Sequence, residues 1–364
     1  MKPPKPTADL PIISIRQLTD YLETIAPPSY QESYDNTGLL VGNPNTACTS
    51  ALLCLDATEA VIAEAVEKSC NLVVAHHPIV FGGLKKLNGK NYVERAVLAA
   101  IKNDIAIYAI HTNLDNVRTG VNRKIADRLG LQQCRVLQPR TRTLKKLSTL
   151  CPIEHADRLR DALLPIVQGW QNDVANVAFS TIGVSTFAPT NNSVAEVRLD
   201  IVFAAHLERP LLAAMRRHHP HPNPNYELTT LEQSSEQIGS GMIGDLPQAM
   251  PIAEFWAHLK TAMQAECIRH TAPIAETVSR IAICGGTGIS LLPDAIRQQA
   301  DVLVTADVKY HQFFDADQQI VIADIGHYET EHFTAQLLHS IISEKFPTFA
   351  AQLSEVRTNP VGYV

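Results

Sequence analysis

The sequence predicts an α/β protein: mostly parallel sheets with flanking helices in two related halves, plus an inserted ferredoxin-like α+β domain. Three observations carry this. Apolar strand-like runs alternate with amphipathic helices in the first third of the chain. The same alternation returns in the last third. Between them lies a stretch whose order is βαββαβ, the ferredoxin-like sequence of elements. At 364 residues the chain has room for two or three domains.

The elements follow in order. ALLCLDAT (51–58) reads as a buried strand and EAVIAEAVEKSC (59–70) as an amphipathic helix. NLVVAHHP (71–78) is the next strand, with His76 and His77 placed after its apolar run. NYVERAVLAAIKNDI (91–105) is a helix, IAIYAIHTNLD (105–115) a strand and its loop, and GVNRKIADRLGL (120–131) another helix. In the last third RIAICGGTG (280–288) is a strand with a glycine turn, LLPDAIRQQ a helix and DVLVTADVKYHQ a strand. QIVIADIGHYETEHF (319–333) is a strand running into a helix that continues through AQLLHSIISEKF. The likeness of NLVVAHHP to DVLVTADVKYHQ suggests two related halves.

The middle reads as strand 145–151, helix 154–167, strands 174–187 and 194–204, helix 207–218 and strand 225–233, followed by the glycine-rich IGSGMIGDLP. A compact unit between two α/β segments is an insertion into one parent domain. The expected division is 1–133 and 249–364 for the α/β domain and 134–248 for the insertion.

Composition narrows the function classes. Apolar residues make up 45% and charged residues 19%, as in ordinary globular proteins. The formal net charge of −6 gives no global attraction to nucleic acid or to an anionic membrane. The basic run Arg140 to Lys146 is better explained as a solvated loop. MKPPKPTADL lacks the apolar core of a secretory signal, and no apolar stretch approaches the ~18 residues that span a bilayer. The seven cysteines are scattered, with no CxxC pair. A reducing cytoplasm without a disulfide framework is expected.

The chemistry gathers behind the strands. His76 and His77 follow one, His111 and Asp115 another, Asp307, Lys309 and His311 a third, and His327 and Glu331 a fourth. Ligand sites of open α/β sheets lie beyond the carboxyl ends of the strands. His327 and Glu331 stand four apart at the start of a helix and share a face. Asp115, in a loop, can turn toward an ion. Neighbouring residues of a regular strand point to opposite faces. A double histidine at a strand end therefore suits two neighbouring ions rather than one, and Glu331 suits bridging. Each element alone is more often a surface or hydrogen-bonding residue, so the argument rests on their coincidence. His111 and Thr112 read better as groups that orient the Asp115 loop. GGTG (285–288) could cradle a phosphate, but without GxGxxG or a P-loop lysine it reads as a tight turn. HHPHPNPN (218–225) reads as an exposed turn rather than a metal site.

At these residues the sequence resembles the Nif-three-like dinuclear metal proteins, also described as GTP cyclohydrolase I type 2 homologues. The resembling stretches run in order: YDNTGLLVG (34–42), AHHPIVFGGLKKL (75–87), HTNLDNVRTGVN (111–122), IGSGMIGDL (238–246), GGTG (285–288), TADVKYHQ (305–312) and DIGHYETE (324–331). The resemblance implies two metal ions per chain: His76 and Asp115 on one, His77 and His327 on the other, Glu331 bridging. It also implies a toroidal homohexamer and an insertion similar to the PII and CutA proteins. Mixed histidine and carboxylate ligands suit Zn, Fe or Mn. The expected activity is a metal-dependent hydrolase acting on a nucleotide-like or other small substrate, by resemblance the hydrolytic opening of the GTP imidazole ring. The alternative is a non-enzymatic metal-binding, metal-delivery or regulatory scaffold. Lys309, His311 and Tyr328 are candidates to touch an anionic substrate.

Overall fold

The computed structural model describes residues 13–167, 178–187 and 192–364. The chain is mixed α/β with three sheets. It forms two compact units, one made of the residues up to Gln138 with Gly239–Val364, the other of Pro139–Ile238.

In the larger unit a first sheet runs in the order Gly38–Val41, Ala106–Ala109, Leu72–His77, Ser50–Asp56, Ala350–Leu353. Its last four strands are parallel and Gly38–Val41 is antiparallel. Leu52, Leu53, Leu72, Val73, Val74 and Ile107 are fully buried. Such uninterrupted apolar runs belong to strands covered on both faces. The helices beside them start where side chains accept the first free amides: Thr58 from Val61 N and Asn91 from Glu94 N.

The second sheet runs Arg269–His270, Val321–Asp324, Val302–Ala306, Thr277–Thr287, Gly239–Pro251, Gln132–Pro139. It is more mixed than the sequence reading. Thr277–Thr287, Val302–Ala306 and Val321–Asp324 are parallel, while Gly239–Pro251 and Arg269–His270 pair antiparallel. The glycine-rich IGSGMIGDLP, to which the sequence reading assigns no element, is mostly strand. Its Gly241 has φ +67°, and a Cβ there would lie 2.7 Å from Leu291 Cδ1 and 3.0 Å from the Ile283 carbonyl oxygen. The glycine serves a close approach inside the sheet.

Three local expectations need correction. The strand Leu72–His77 includes both histidines, with His77 in register with Asp56. Asp115 is not in a loop but closes the one-turn helix Thr112–Asp115. The helix after Asp324 is two helices, His327–Glu331 and Thr334–Lys345, the second packing on the strand Ser50–Asp56 of the first sheet.

The smaller unit has an antiparallel sheet in the order Ala178–Phe187, Asn192–Ala204, Leu144–Pro152, Tyr226–Leu231. Helices Ile153–Val167 and Glu208–His218 cover it around Leu147, Leu159, Leu163, Ile201, Phe203 and Met215. The first residues of the strand expected at 174–187 lie outside the described residues. The HHPHPNPN tract is mostly exposed, as expected, with one exception. His219 is buried, its Nε2 donating to the Leu150 carbonyl and its Nδ1 accepting from His221 N.

All seven cysteines are free thiols. Among the described residues no helix is long and apolar enough to cross a membrane.

Candidate metal centre

Five residues from three places in the larger unit converge. His76 and His77 come from the strand Leu72–His77, Asp115 from the short helix after Ala106–Ala109, and His327 and Glu331 from the helix after Val321–Asp324. The i, i+4 pair meets as its spacing predicts, His327 Nε2 lying 3.0 Å from Glu331 Oε2. The same oxygen is 2.9 Å from His77 Nε2 and 3.9 Å from His76 Nε2. Asp115 Oδ1 is 3.6 Å from His76 Nε2. Ligand atoms about 2.0–2.1 Å from a common zinc-sized ion stand about 3.3 Å apart in a tetrahedron, so these separations suit ligands.

The donor atoms fall into three groups, each within 4.8 Å: His77, His327, Glu331; His76, Asp115, Glu331; and His76, His77, His111. Glu331 belongs to two of them. His76 Nε2 and Asp115 Oδ1 are buried without a hydrogen-bond partner. Orphaned buried polar atoms are rare and costly, and a cation between these two satisfies both. The residues therefore fit a metal ion.

Each imidazole is aimed by its other nitrogen. His76 Nδ1 donates to the Ile110 carbonyl at 2.8 Å, His77 Nδ1 to Asp56 at 2.7 Å and His327 Nδ1 to Asp307 at 2.7 Å. This leaves Nε2 for the centre, the arrangement that orients metal-ligating histidines. His111 is held likewise, Nδ1 to Asp35 at 2.8 Å, and Asp35 also accepts from the Thr112 amide and hydroxyl. So His111 faces His76 and His77 besides anchoring the Asp115 helix through its neighbour Thr112. Asp35, Asp56 and Asp307 carry no periodic signal. Asp307 is nonetheless among the residues gathered behind the strands, whereas Asp56 shows only its position at the end of a buried strand and Asp35 only its place in YDNTG.

Charge is arranged around Glu331. Burial opposes its ionisation, but hydrogen bonds from His327 and His77 outweigh this and hold it well below the usual carboxylate range. For His77 burial opposes a proton, yet Asp56 and Glu331 raise its pKa to about 10; for His327 burial is likewise outweighed by Glu331 and Asp307, giving about 9. Burial lowers His76 to about 3, leaving a neutral ring. Burial, then the Glu331 charge, pushes Asp115 well above its ordinary value. Asp35 is pulled to about 2 by His111 and Thr112 against its burial. At neutral pH the metal-free protein thus carries imidazolium protons on His77 and His327, where a metal cation would otherwise supply the positive charge.

GGTG (285–288) turns out to make room rather than to cradle a phosphate. Gly286 has φ +58°, and a Cβ there would lie 2.5 Å from Glu331 Oε1 and 3.3 Å from His327 Nε2. The Gly286 amide donates to Thr330 Oγ1. His311 and Lys309 belong to none of the three donor groups. His311 packs instead on Tyr310 and Phe314.

The family model described as Duf34/NIF3 (NGG1p interacting factor 3) matches residues 13–360. Proteins named "GTP cyclohydrolase 1 type 2 homolog" are similar over nearly the whole chain. The Bacillus subtilis (strain 168) relative is 32% identical over 367 residues, 96% of this chain and 98% of its own. The Halalkalibacterium halodurans relative is 33% identical over 360 residues, 94% of this chain and 96% of its own. A solved Bacillus cereus structure, described as a protein related to NIF3, superposes with a TM-score of 0.85 at 31% identity. That match covers 98% of this chain and all of the other.

Proposed function

The chain belongs to the Duf34/NIF3 family, and from that premise we propose that it is a dinuclear metal protein working as a metal-dependent hydrolase on a nucleotide-like or other small substrate. His76 and Asp115 would hold one ion and His77 and His327 the other, with Glu331 available to both. The observation that carries the reading is that Glu331 shares one donor group with His76 and Asp115 and another with His77 and His327. Two divalent ions so held would supply Lewis acidity to a substrate and to attacking water. The chain's own contribution is orientation and charge. Asp56 and Asp307 fix the His77 and His327 rings, and Glu331 and Asp115 compensate the cations. His111, held by Asp35, adds a nitrogen beside His76 and His77.

A nucleotide-like substrate is supported by what the relatives are called. We take Zn, Fe or Mn as candidate native metals. The assembly is proposed as a cytoplasmic homohexamer, and the smaller unit, with its βαββαβ order and antiparallel sheet, as the ferredoxin-like, PII/CutA-like insertion. The test is elemental analysis after reconstitution followed by turnover across a nucleotide panel including GTP. Two ions per chain with turnover support the hydrolase. Two ions without turnover assign the protein to the alternative, a metal-delivery or regulatory scaffold. No retained metal overturns both.

A further inference from the structure

A cavity of about 470 Å³ opens on the His77 and His327 side of the centre, within the range of small-molecule sites. His77, His327, Asp307, Arg269, Asp324 and Tyr328 line it, together with the carboxy-terminal segment through Tyr363. That segment is tied to the centre: Thr358 Oγ1 donates to Asp56 at 2.5 Å, and Asn359 Nδ2 donates to Glu329 at 2.9 Å.

The hydrogen-bonding capacity of the wall is unevenly used. Asp56 accepts from His77 and Thr358. Asp307 accepts from His327 and Thr287. Asp324 accepts from Arg269 and from the Val308 and Gly326 amides, and Glu329 from Asn359. The wall carboxylates are engaged. Arg269 spends only Nη2, on Asp324 and the Val308 carbonyl. Among the described residues its Nε and Nη1 donors have no acceptor, and its side chain is 54% exposed. The guanidinium lies over the Phe313 ring, 5.4 Å from its centroid, and its residue is in register with Asp324 across the sheet edge. A guanidinium anchored through Nη2, with Nε–H and Nη1–H left unengaged, can still offer an oxyanion its charge and a single hydrogen bond.

We infer that this cavity is the substrate pocket, and that it takes a small molecule whose phosphate or carboxylate group is held by Arg269 while its reacting part faces His77 and His327. This rests on the proposed metal centre for the second contact but not for the first. The oxyanion subsite belongs to the protein alone.

The experiment is titration of the full chain with inorganic phosphate, and in parallel with acetate, first metal-free and then loaded with Mn²⁺. Binding is read by calorimetry, and proximity to manganese by ³¹P relaxation. At least one of the two anions should bind metal-free protein, and Arg269→Gln should weaken it at least tenfold with metal content unchanged. Asp324→Asn, which removes the neutralising charge and keeps the guanidinium, should tighten it at least threefold. If Arg269→Gln binds as wild type does, or neither anion binds, the pocket inference is overturned. If Arg269→Gln does not fold, Asp324→Asn decides: tighter binding supports the subsite, unchanged binding overturns it. An Arg269-dependent anion site in a protein that retains no metal would overturn the metal reading while the subsite stands.

Discussion

Gly286 leaves the space that the Glu331 carboxylate occupies: a Cβ on Gly286 would stand 2.5 Å from Glu331 Oε1. The glycine also holds φ +58°, a conformation that costs other residues of order 1 kcal/mol or more. Gly286→Ala should therefore injure the centre twice, by strain and by displacing the shared carboxylate. The expected result is a folded protein whose metal affinity drops by more than about tenfold, in the manner of a change beside a ligand. Gly285→Ala, whose Cβ would meet Glu331 Cγ at 3.4 Å and Val121 at 3.1 Å, should be milder. Metal content at a fixed chelator concentration checks the order, and equal retention by both variants and wild type refutes it.

His76→Ala and His77→Ala should deplete different ions. His77 shares a donor group with His327, and His76 with Asp115, while Glu331 is common to both. Glu331→Ala should weaken both ions. The measurement is metal stoichiometry of each folded variant under chelator. Depletion of the same single ion by the two histidine variants ends the idea that the double histidine divides two metals.

Asp56 and Asp307 belong to none of the donor groups and reach the centre through the imidazoles they hold, at 2.7 Å each. Asp56→Ala and Asp307→Ala should each lower metal affinity by about 10–100-fold, the typical cost of losing an outer partner of a ligand. Asp307→Ala should act on the same ion as His327→Ala. Stoichiometry with unchanged metal loading in both variants would remove these aspartates from the site.

The raised values of His77 and His327, about 10 and about 9, fix a pH dependence. Their folded pKa lies above the ordinary value near 6.5. The stabilisation they give the metal-free protein is complete below about pH 6.5 and is lost as pH rises through about 9 to 10. A metal must displace those protons, so apparent metal affinity should rise over the same window. Thermal unfolding of metal-free protein from pH 6 to 10 should show a falling Tm, and Glu331→Gln should flatten that fall. A metal-free Tm that climbs across this range contradicts the assignment.

Joining Gln138 to Gly239 and deleting residues 139–238 should leave a metal-binding protein. The strands Gln132–Pro139 and Gly239–Pro251 are neighbours in one sheet, and every donor residue lies in the larger unit. Loss of metal by a folded deletion variant would show that the smaller unit shapes the site.

Much of this was written locally. The alternation of apolar strands and helices forecast both α/β stretches. The position of histidines and carboxylates behind the strands forecast which residues to collect, and the i, i+4 spacing of His327 and Glu331 forecast their contact. The boundaries were less legible. A strand that ends in His76 and His77 looks finished at Ala75, because imidazoles break an apolar run without breaking a backbone ladder. IGSGMIGDLP receives no element because its glycines hide a strand pattern, although Gly241 serves close packing inside the sheet.

By itself, then, the sequence determined the kinds of element, their order and the inventory of donors, since period and propensity are settled between residues a few positions apart. The tertiary structure alone decided who faces whom. His77 meets Glu331 across 254 positions, and His111 meets Asp35 across 76. The first depends on how the two sheets of the larger unit pack, and the second on the pairing of Gly38–Val41 with Ala106–Ala109 within one sheet, which no local pattern encodes. Burial and partnership, also products of that packing, decided that His76 stays neutral while its neighbour His77 holds a proton.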